Sequence, residues 1–98
     1  MIVVNKTARA ELDLLDIWLY TFRTWGESQA DSYLDELDQG IRLLVENPQL
    51  GSDYSHICDG YRRLSINYHR VFYRLFGDAL EIVRVLHESM DIDTHLDT

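Results

Sequence analysis

The sequence predicts a single α+β domain in which a helical hairpin packs against an antiparallel sheet. Apolar residues recur at helical spacing through residues 7–46, whereas three runs rich in β-branched and aromatic residues follow between residues 60 and 87. A proline- and glycine-containing segment separates the two patterns. A chain of 98 residues buries roughly two thirds of its unfolded surface, which suits one core and not two.

The N-terminal part predicts a short strand followed by a helix. Residues 2–4 are all β-branched, which predicts a strand. The sequence does not determine which other strand of the sheet this first strand pairs with. Thr7 is a suitable N-cap for the first helix. The helix is expected to end near Trp25, with Gly26 in the left-handed αL conformation that favours glycine. The apolar stripe predicted to be buried on this helix is Ala8, Leu12, Leu15, Leu19 and Phe22.

A second helix is expected directly after the first. Ser28 with Asp31 approximates a capping box, and Asn47-Pro48 ends the helix because the residue before proline avoids the helical region. The predicted buried face is Ala30, Tyr33, Leu34, Leu37, Ile41, Leu44 and Val45. Residues 48–59 are expected to form an irregular connection.

Three strands are predicted at about 60–67, 70–76 and 79–87, forming an antiparallel meander. Gly77-Asp78 suits a tight turn, whereas Tyr68-His69 favours a two-residue or a four-residue loop about equally. The opposed pairs of the first hairpin would be Asn67 with Arg70, Ser65 with Phe72, and Arg63 with Arg74. Both loop lengths keep the same side-chain parity, so the faces are predicted more firmly than the register.

The two faces of the meander are predicted to differ in polarity. The face toward the helices would carry Leu64, Ile66, Val71, Tyr73, Leu75, Leu80, Ile82 and Leu86. The opposite face would carry Arg63, Arg70 and Arg74 around Phe72, Val83 and Val85. Residues 88–98 are acidic and weakly patterned, which predicts a partly ordered tail of the same single domain, 1–98.

Composition restricts the classes of function. Seventeen acidic against nine basic residues give a net charge of −8, so direct nucleic-acid binding is disfavoured by repulsion from phosphates. There is neither a 20-residue apolar run nor a secretory leader, so no membrane association is expected. Cys58 is the only cysteine, which excludes an internal disulfide and fits a cytoplasmic location.

The sequence predicts no catalytic group, metal site or cofactor. The four histidines, His56, His69, His87 and His95, are spread singly without a ligand partner at a suitable spacing. There is no glycine-rich phosphate loop, and Cys58 has no neighbouring base to activate it.

The arginine-bearing face is the candidate binding site, comprising Arg63, Arg70, Phe72, Arg74 and Val83. Three interpretations remain open. The arginines can hold an RNA phosphate, they can be solvated with Arg74 facing Glu81, or they can dock an acidic or helical peptide. The docking interpretation is favoured because apolar residues on the same face would leave exposed area.

The order of short motifs along nearly the whole chain resembles the ParE branch of the RelE/ParE toxin superfamily. The matching segments are Thr7-Ala8, Leu12 and Ile17, Trp25-Gly26, Gln29-Ala30, Tyr33, Asn47-Pro48, Gly51, Gly60-Tyr61-Arg62, His69-Arg70-Val71-Phe72-Tyr73, Ile82-Val83-Arg84-Val85-Leu86-His87 and Met90-Asp91. Each segment is weak alone, whereas their order and spacing together are specific.

The resemblance implies a non-enzymatic toxin of a type II toxin–antitoxin system, neutralised by a cognate antitoxin and directed against DNA gyrase. The alternative is a RelE-like, ribosome-dependent mRNA endonuclease. Arg70 matches the strand arginine of those cleaving relatives. The chain has no Lys, Arg or Tyr after Arg84, and only His87 and His95 remain as acid/base candidates. The resemblance therefore favours the gyrase-directed branch.

Overall fold

The computed structural model describes residues 2–56 and 58–90. Its elements are β1 Val3–Lys6, α1 Ala8–Trp25, α2 Glu27–Glu46, β2 Ser52–Asp53, β3 Tyr61–Ile66, β4 His69–Phe76 and β5 Ala79–His87. The two helices lie on one face of a mixed sheet, which confirms the predicted α+β class. Of the predicted acidic tail, residues 91–98 lie outside the described residues.

The sheet contains more than the predicted three-stranded meander. Its strand order is β1-β5-β4-β3-β2, with β1 parallel to β5 and the other neighbours antiparallel. The expectation that residues 48–59 are wholly irregular was wrong, because Ser52–Asp53 pairs with Arg62 and Arg63. The parallel pairing of β1 places the start of α1 beside the middle of β5.

The helix ends follow local backbone chemistry, with one correction. The Thr7 hydroxyl accepts a hydrogen bond from the Ala10 N–H (3.0 Å), which confirms the predicted N-cap. Gly26 has φ 97° and ψ 174°, so the positive φ was predicted correctly but the left-handed helical ψ was not. Gly26 itself is the N-cap of α2, and the predicted capping box at Ser28 and Asp31 was wrong.

The predicted rotation of α1 was also wrong. Leu12 and Leu15 are 56% and 52% exposed, so the leucine stripe points away from the sheet. The buried face instead carries Ala10, Leu14, Ile17 and Thr21. Periodicity favoured the side with more leucines, whereas the side that packs combines Leu14 and Ile17 with the small or polar residues Ala10 and Thr21.

The core lies between the helices and the sheet. It contains Ala10, Ile41, Leu44, Val71, Tyr73, Leu80, Ile82 and Val85, with Leu64 and Ile66 packed against it. The predicted buried face of α2 and the predicted helix-facing parity of β3 and β4 are therefore confirmed. Leu75 has the predicted parity but is 42% exposed, so burial does not extend to it.

The β3–β4 register differs from the predicted one by two residues. Ile66 opposes His69, so Asn67 and Tyr68 form the turn, Arg63 opposes Phe72 and Ser65 opposes Arg70. Asn67 adopts φ 51°, a conformation that asparagine tolerates better than most residues. A shift of two residues preserves side-chain parity, which is why the faces of both strands were still correct.

A β-bulge in β5 changes the faces beyond Ile82. Tyr73 opposes Ile82, whereas Phe72 opposes Arg84, which leaves Val83 as the extra residue. Val85 consequently joins the core, and Leu86 turns to the opposite face. The predicted orientations of Val85 and Leu86 were therefore both wrong, because a bulge reverses the parity of the residues that follow it.

The bulged part of β5 is bound to α1 through polar groups. Beyond β1, the Val83 carbonyl accepts a hydrogen bond from the Thr7 hydroxyl (2.8 Å). Asp13 accepts bonds from the Val85 N–H (3.0 Å) and from the Arg84 guanidinium (2.8 and 2.9 Å). Arg84 is only 6% exposed, so the Asp13 carboxylate neutralises a buried cation. The same carboxylate satisfies the Val85 N–H at the edge of β5.

Removing this carboxylate should destabilise the domain strongly. We expect Asp13→Ala to lower the free energy of unfolding by about 3–5 kcal/mol, because a buried arginine loses its counter-ion. Asp16→Ala, at an exposed position on the same helix, should change it by less than about 0.5 kcal/mol. Urea denaturation measures both, and equal effects would contradict a structural role for Asp13.

Candidate functional site

The arginine-bearing face contains a pocket near the C-terminal end of β5. Its volume is about 180 Å³, and residues from β3, β4, β5 and the loop after β2 surround it. The lining residues are Tyr54, Arg63, Arg70, Phe72, Leu86, His87, Glu88 and Met90. The pocket therefore combines two cations with aromatic and aliphatic walls.

Arg63 has a charge that no carboxylate neutralises among the described residues. Its guanidinium lies over the Tyr54 ring, 4.9 Å from the ring centroid, and one terminal nitrogen is 3.5 Å from the Tyr54 hydroxyl. The Nε atom of Arg63 is buried and has no hydrogen-bond partner within residues 2–56 and 58–90. A buried donor without a hydrogen bond is uncommon in folded proteins, because the free-energy cost of removing it from water is not offset.

Arg70 is weakly paired. It lies on β4 beside Arg63, opposite Ser65 and Leu86. Its terminal nitrogen is 3.7 Å from a Glu88 oxygen, a distance that allows electrostatic attraction but exceeds a normal hydrogen bond. Both arginines of the pocket thus retain unused hydrogen-bonding capacity toward an anionic group.

Phe72 forms the floor of the pocket and not an exposed patch. Its side chain is 2% exposed, and the Tyr54 ring packs against it edge-on with centroids 5.6 Å apart. The expectation of exposed apolar area around Phe72 and Val85 was wrong, because Tyr54 covers Phe72 and the bulge buries Val85. Val83 is the bulged residue and is half-buried.

Arg74 is on the same sheet face but does not line the pocket. It opposes Glu81, and its Nε donates to that carboxylate at 2.8 Å, as one of the three interpretations predicted. The hydrogen bond and charge of Glu81 raise the pKa of Arg74 above its ordinary value. The predicted arginine cluster is therefore divided. Glu81 neutralises the charge of Arg74, whereas Arg63 has no carboxylate partner among the described residues.

Sequence reasoning missed the contribution of Tyr54, Leu86 and Met90 to the pocket. Tyr54 belongs to a segment whose structure was predicted only as irregular, although an aromatic residue in a short polar loop is a signal of packing. Leu86 was assigned to the opposite face. Neither a loop path nor a bulge is encoded by the period-two pattern of a strand.

A second polar cluster lies at the other face of the same sheet end. The Tyr33 hydroxyl is 2.6 Å from Nδ1 of His69, and the His69 and His87 rings meet edge-on at 5.3 Å. Burial of His69, and then the charge of His87, lower the pKa of His69 to about 4, while Glu88 acts in the opposite direction. At neutral pH, His69 is therefore uncharged, and its ring shares one hydrogen bond with the Tyr33 hydroxyl.

Within residues 2–56 and 58–90, no group of three or more His, Cys, Asp or Glu side chains is arranged to hold a metal ion. Likewise, neither helix of this described part is long and apolar enough to cross a membrane.

Comparison with known proteins identifies relatives over most of the chain. Residues 4–92 match the family model described as the ParE toxin of the type II toxin–antitoxin system parDE. Toxin ParE1 of Caulobacter vibrioides is 44% identical over 88 residues, covering 90% of this chain and 91% of that protein. Toxin ParE1 of Mycobacterium tuberculosis is 42% identical over 95 residues, covering 96% and 95%.

The fold also has a solved counterpart. A chain described as the chromosomal ParDE TA system from P. aeruginosa superposes with a TM-score of 0.79. It shares 19% sequence identity, and the match covers 89% of this chain and 96% of that one. At this identity the likeness establishes the common fold.

The buried histidine predicts a pH-dependent stability. With a pKa of about 4 in the fold and about 6.5 when unfolded, His69 binds protons more readily in the unfolded chain between these values. The free energy of unfolding should therefore fall as the pH is lowered from 7 to 4. His69→Gln should flatten this dependence in urea titrations, and exposed His56→Gln should not. An unchanged slope in His69→Gln would contradict the assignment.

Proposed function

Because the chain belongs to the ParE toxin family of type II toxin–antitoxin systems, we propose that it poisons DNA gyrase and is neutralised through the pocket that contains Arg63. In this proposal the toxin acts in the cytoplasm without enzymatic activity of its own. The antitoxin is its cognate partner, and an acidic segment of that partner binds the arginine-bearing sheet face.

The unpaired Arg63 is the observation that supports this binding site. Its buried Nε has no hydrogen-bond partner in the part of the chain that the structure describes, although the protein as a whole carries an excess of acidic residues. A carboxylate from a partner would neutralise the charge of Arg63 and form charge-assisted hydrogen bonds with the part of the guanidinium that lines the pocket. Arg70 would contribute a second donor from the adjacent strand, which allows two acidic side chains, or one bidentate carboxylate, to bind.

The pocket walls favour a peptide over a free anion. Phe72 forms a buried aromatic floor, and Leu86 and Met90 add apolar surface beside the cations. An amphipathic segment would bury this surface while placing its acidic groups against the arginines. Such antitoxin segments fold on binding and cover wide surfaces for their length. Arg74, neutralised by Glu81, would lie at the margin of this contact.

The ribonuclease alternative retains limited support from the same geometry. Arg70 and His87 both line the pocket, although the His87 ring meets the His69 ring on the opposite face of the sheet. However, Nδ1 of His87 is 2.8 Å from the Ser89 hydroxyl, and the net charge of −8 opposes binding to RNA. The non-enzymatic, gyrase-directed function is therefore the better supported proposal.

The antitoxin site can be tested by removing one charge. Arg63→Met keeps an apolar stem over Tyr54 but removes the guanidinium, so antitoxin affinity should fall at least tenfold, since a desolvated arginine is worth roughly 2–5 kcal/mol. Arg42→Met is the matched control, because Arg42 is 77% exposed on α2. Isothermal titration with the antitoxin encoded beside this gene measures both. Equal affinities for the two variants would contradict the proposed site.

The target can be tested separately with purified gyrase. The proposal predicts loss of supercoiling and recoverable protein-linked DNA breaks, both reversed by equimolar antitoxin. Normal supercoiling at a large excess of folded toxin would contradict gyrase as the target. A translating extract provides the comparison, since mRNA cuts that disappear in Arg70→Ala would support the ribonuclease alternative instead.

A further inference from the structure

The segment that carries Tyr54 to the pocket contains little regular structure of its own. This connecting segment, residues 47–54, begins at the end of α2 and includes the two-residue strand β2. Nevertheless, the Tyr54 ring packs edge-on against Phe72 and lies beneath the Arg63 guanidinium. The arrangement of these pocket groups therefore depends on how the connecting segment is fixed to the sheet.

A hydroxyl group from the core binds the connecting segment. Tyr73 on β4 is fully buried on the side of the sheet that faces the helices. Its hydroxyl donates to the Pro48 carbonyl at 2.7 Å and accepts a hydrogen bond from the Gly51 N–H at 2.9 Å. A phenylalanine ring would fill nearly the same volume in the core, but it could not bind these two backbone groups. The hydroxyl therefore serves the connecting segment and not the packing of the core.

Two further residues complete this attachment. Gly51 allows the close approach, because a Cβ atom at this position would lie 2.6 Å from the Tyr73 hydroxyl and 2.8 Å from the Arg63 carbonyl oxygen. Arg62 donates to the Gly51 carbonyl at 3.0 Å and to the Gln49 carbonyl at 3.2 Å. Since Arg62 opposes Tyr73 across the β3–β4 pair, two adjacent strands bind the connecting segment from the same face of the sheet.

We propose that Tyr73 is a positioning residue for the Arg63 pocket and that it acts through Tyr54. This inference rests on the proposed antitoxin function. Phe72 and Tyr73 are successive residues of β4, so their side chains lie on opposite faces of the sheet. Tyr73 binds the connecting segment on the helix side, and Phe72 contacts Tyr54 on the pocket side. Tyr54 and Arg63 are thereby ordered before a partner binds, and the partner does not bear the entropic cost of ordering them.

The first test removes the hydroxyl and keeps the ring. Tyr73→Phe should lower the affinity for the antitoxin encoded beside this gene by roughly fivefold or more in isothermal titration, because pre-organisation of the pocket is lost. Thr21→Val is the control, since it also removes one buried hydroxyl, whose hydrogen bond goes to the Ile17 carbonyl on α1 at 2.8 Å. It should change the affinity by less than about twofold. Equal effects of the two variants would overturn the inference.

A double-mutant cycle separates positioning from a general loss of stability. Tyr54→Ala removes the ring through which Tyr73 acts, so adding Tyr73→Phe to it should change the affinity by less than about twofold. A full additional loss in that background would overturn the inference. An effect of Arg63→Met without an effect of Tyr73→Phe would overturn this inference alone, whereas a wild-type toxin that does not bind the antitoxin would overturn the proposed function with it.

Amide hydrogen exchange tests the attachment in the free toxin. In Tyr73→Phe, the amides of residues 51–54 should exchange roughly tenfold faster, whereas those of β5 should stay within about twofold of the wild type. Arg62→Met removes the other attachment and should reproduce both the faster exchange and the lower affinity, with Arg42→Met as the control for the lost charge. This variant also keeps the inference testable if Tyr73→Phe does not fold. Unchanged exchange of residues 51–54 in the folded variants would overturn the inference.

Discussion

The Asp13 carboxylate and the bulged end of β5 set the geometry on which the rest of the structure depends. Asp13 binds both the Arg84 guanidinium and the Val85 N–H. Its carboxylate is therefore the counter-ion of Arg84, and it also accepts a backbone hydrogen bond from the part of β5 that extends beyond its pairing with β1. This contact fixes the rotation of α1. It also stabilises the reversal of parity that brings Val85 into the core and Leu86 to the pocket. One buried charge pair thereby determines which residues line the pocket and which side of α1 is exposed.

The pocket at Arg63 and the outward face of α1 lie on different sides of the molecule and differ in chemistry. The pocket is cationic with an aromatic floor, whereas the outward face of α1 is apolar and has Glu11 and Asp16 beside its leucines. In the proposed function, the acidic segment of the antitoxin binds the pocket. A segment that is disordered when free would gain contact area by following the sheet surface around it.

Sequence reasoning recovered what local chemistry controls. The Thr7 cap, the end of α2 at Asn47 and the helix-facing parity of β4 all follow from backbone preferences and a period of two. The misses have a different origin. The predicted rotation of α1 was wrong because the packed side carries Asp13, which a hydrophobic periodicity discounts, and this carboxylate binds Arg84 and the Val85 N–H. The burial of Phe72 depends on the path of Tyr54 across the sheet, a tertiary contact that no strand pattern encodes.

The structure of the toxin bound to its antitoxin is the most direct test of this account. The account predicts an antitoxin chain that places a carboxylate within hydrogen-bond distance of the Arg63 guanidinium, in the pocket that Arg63 lines. A complex in which the pocket is empty would contradict it. In that case Arg63 would have to be assigned to the target of the toxin.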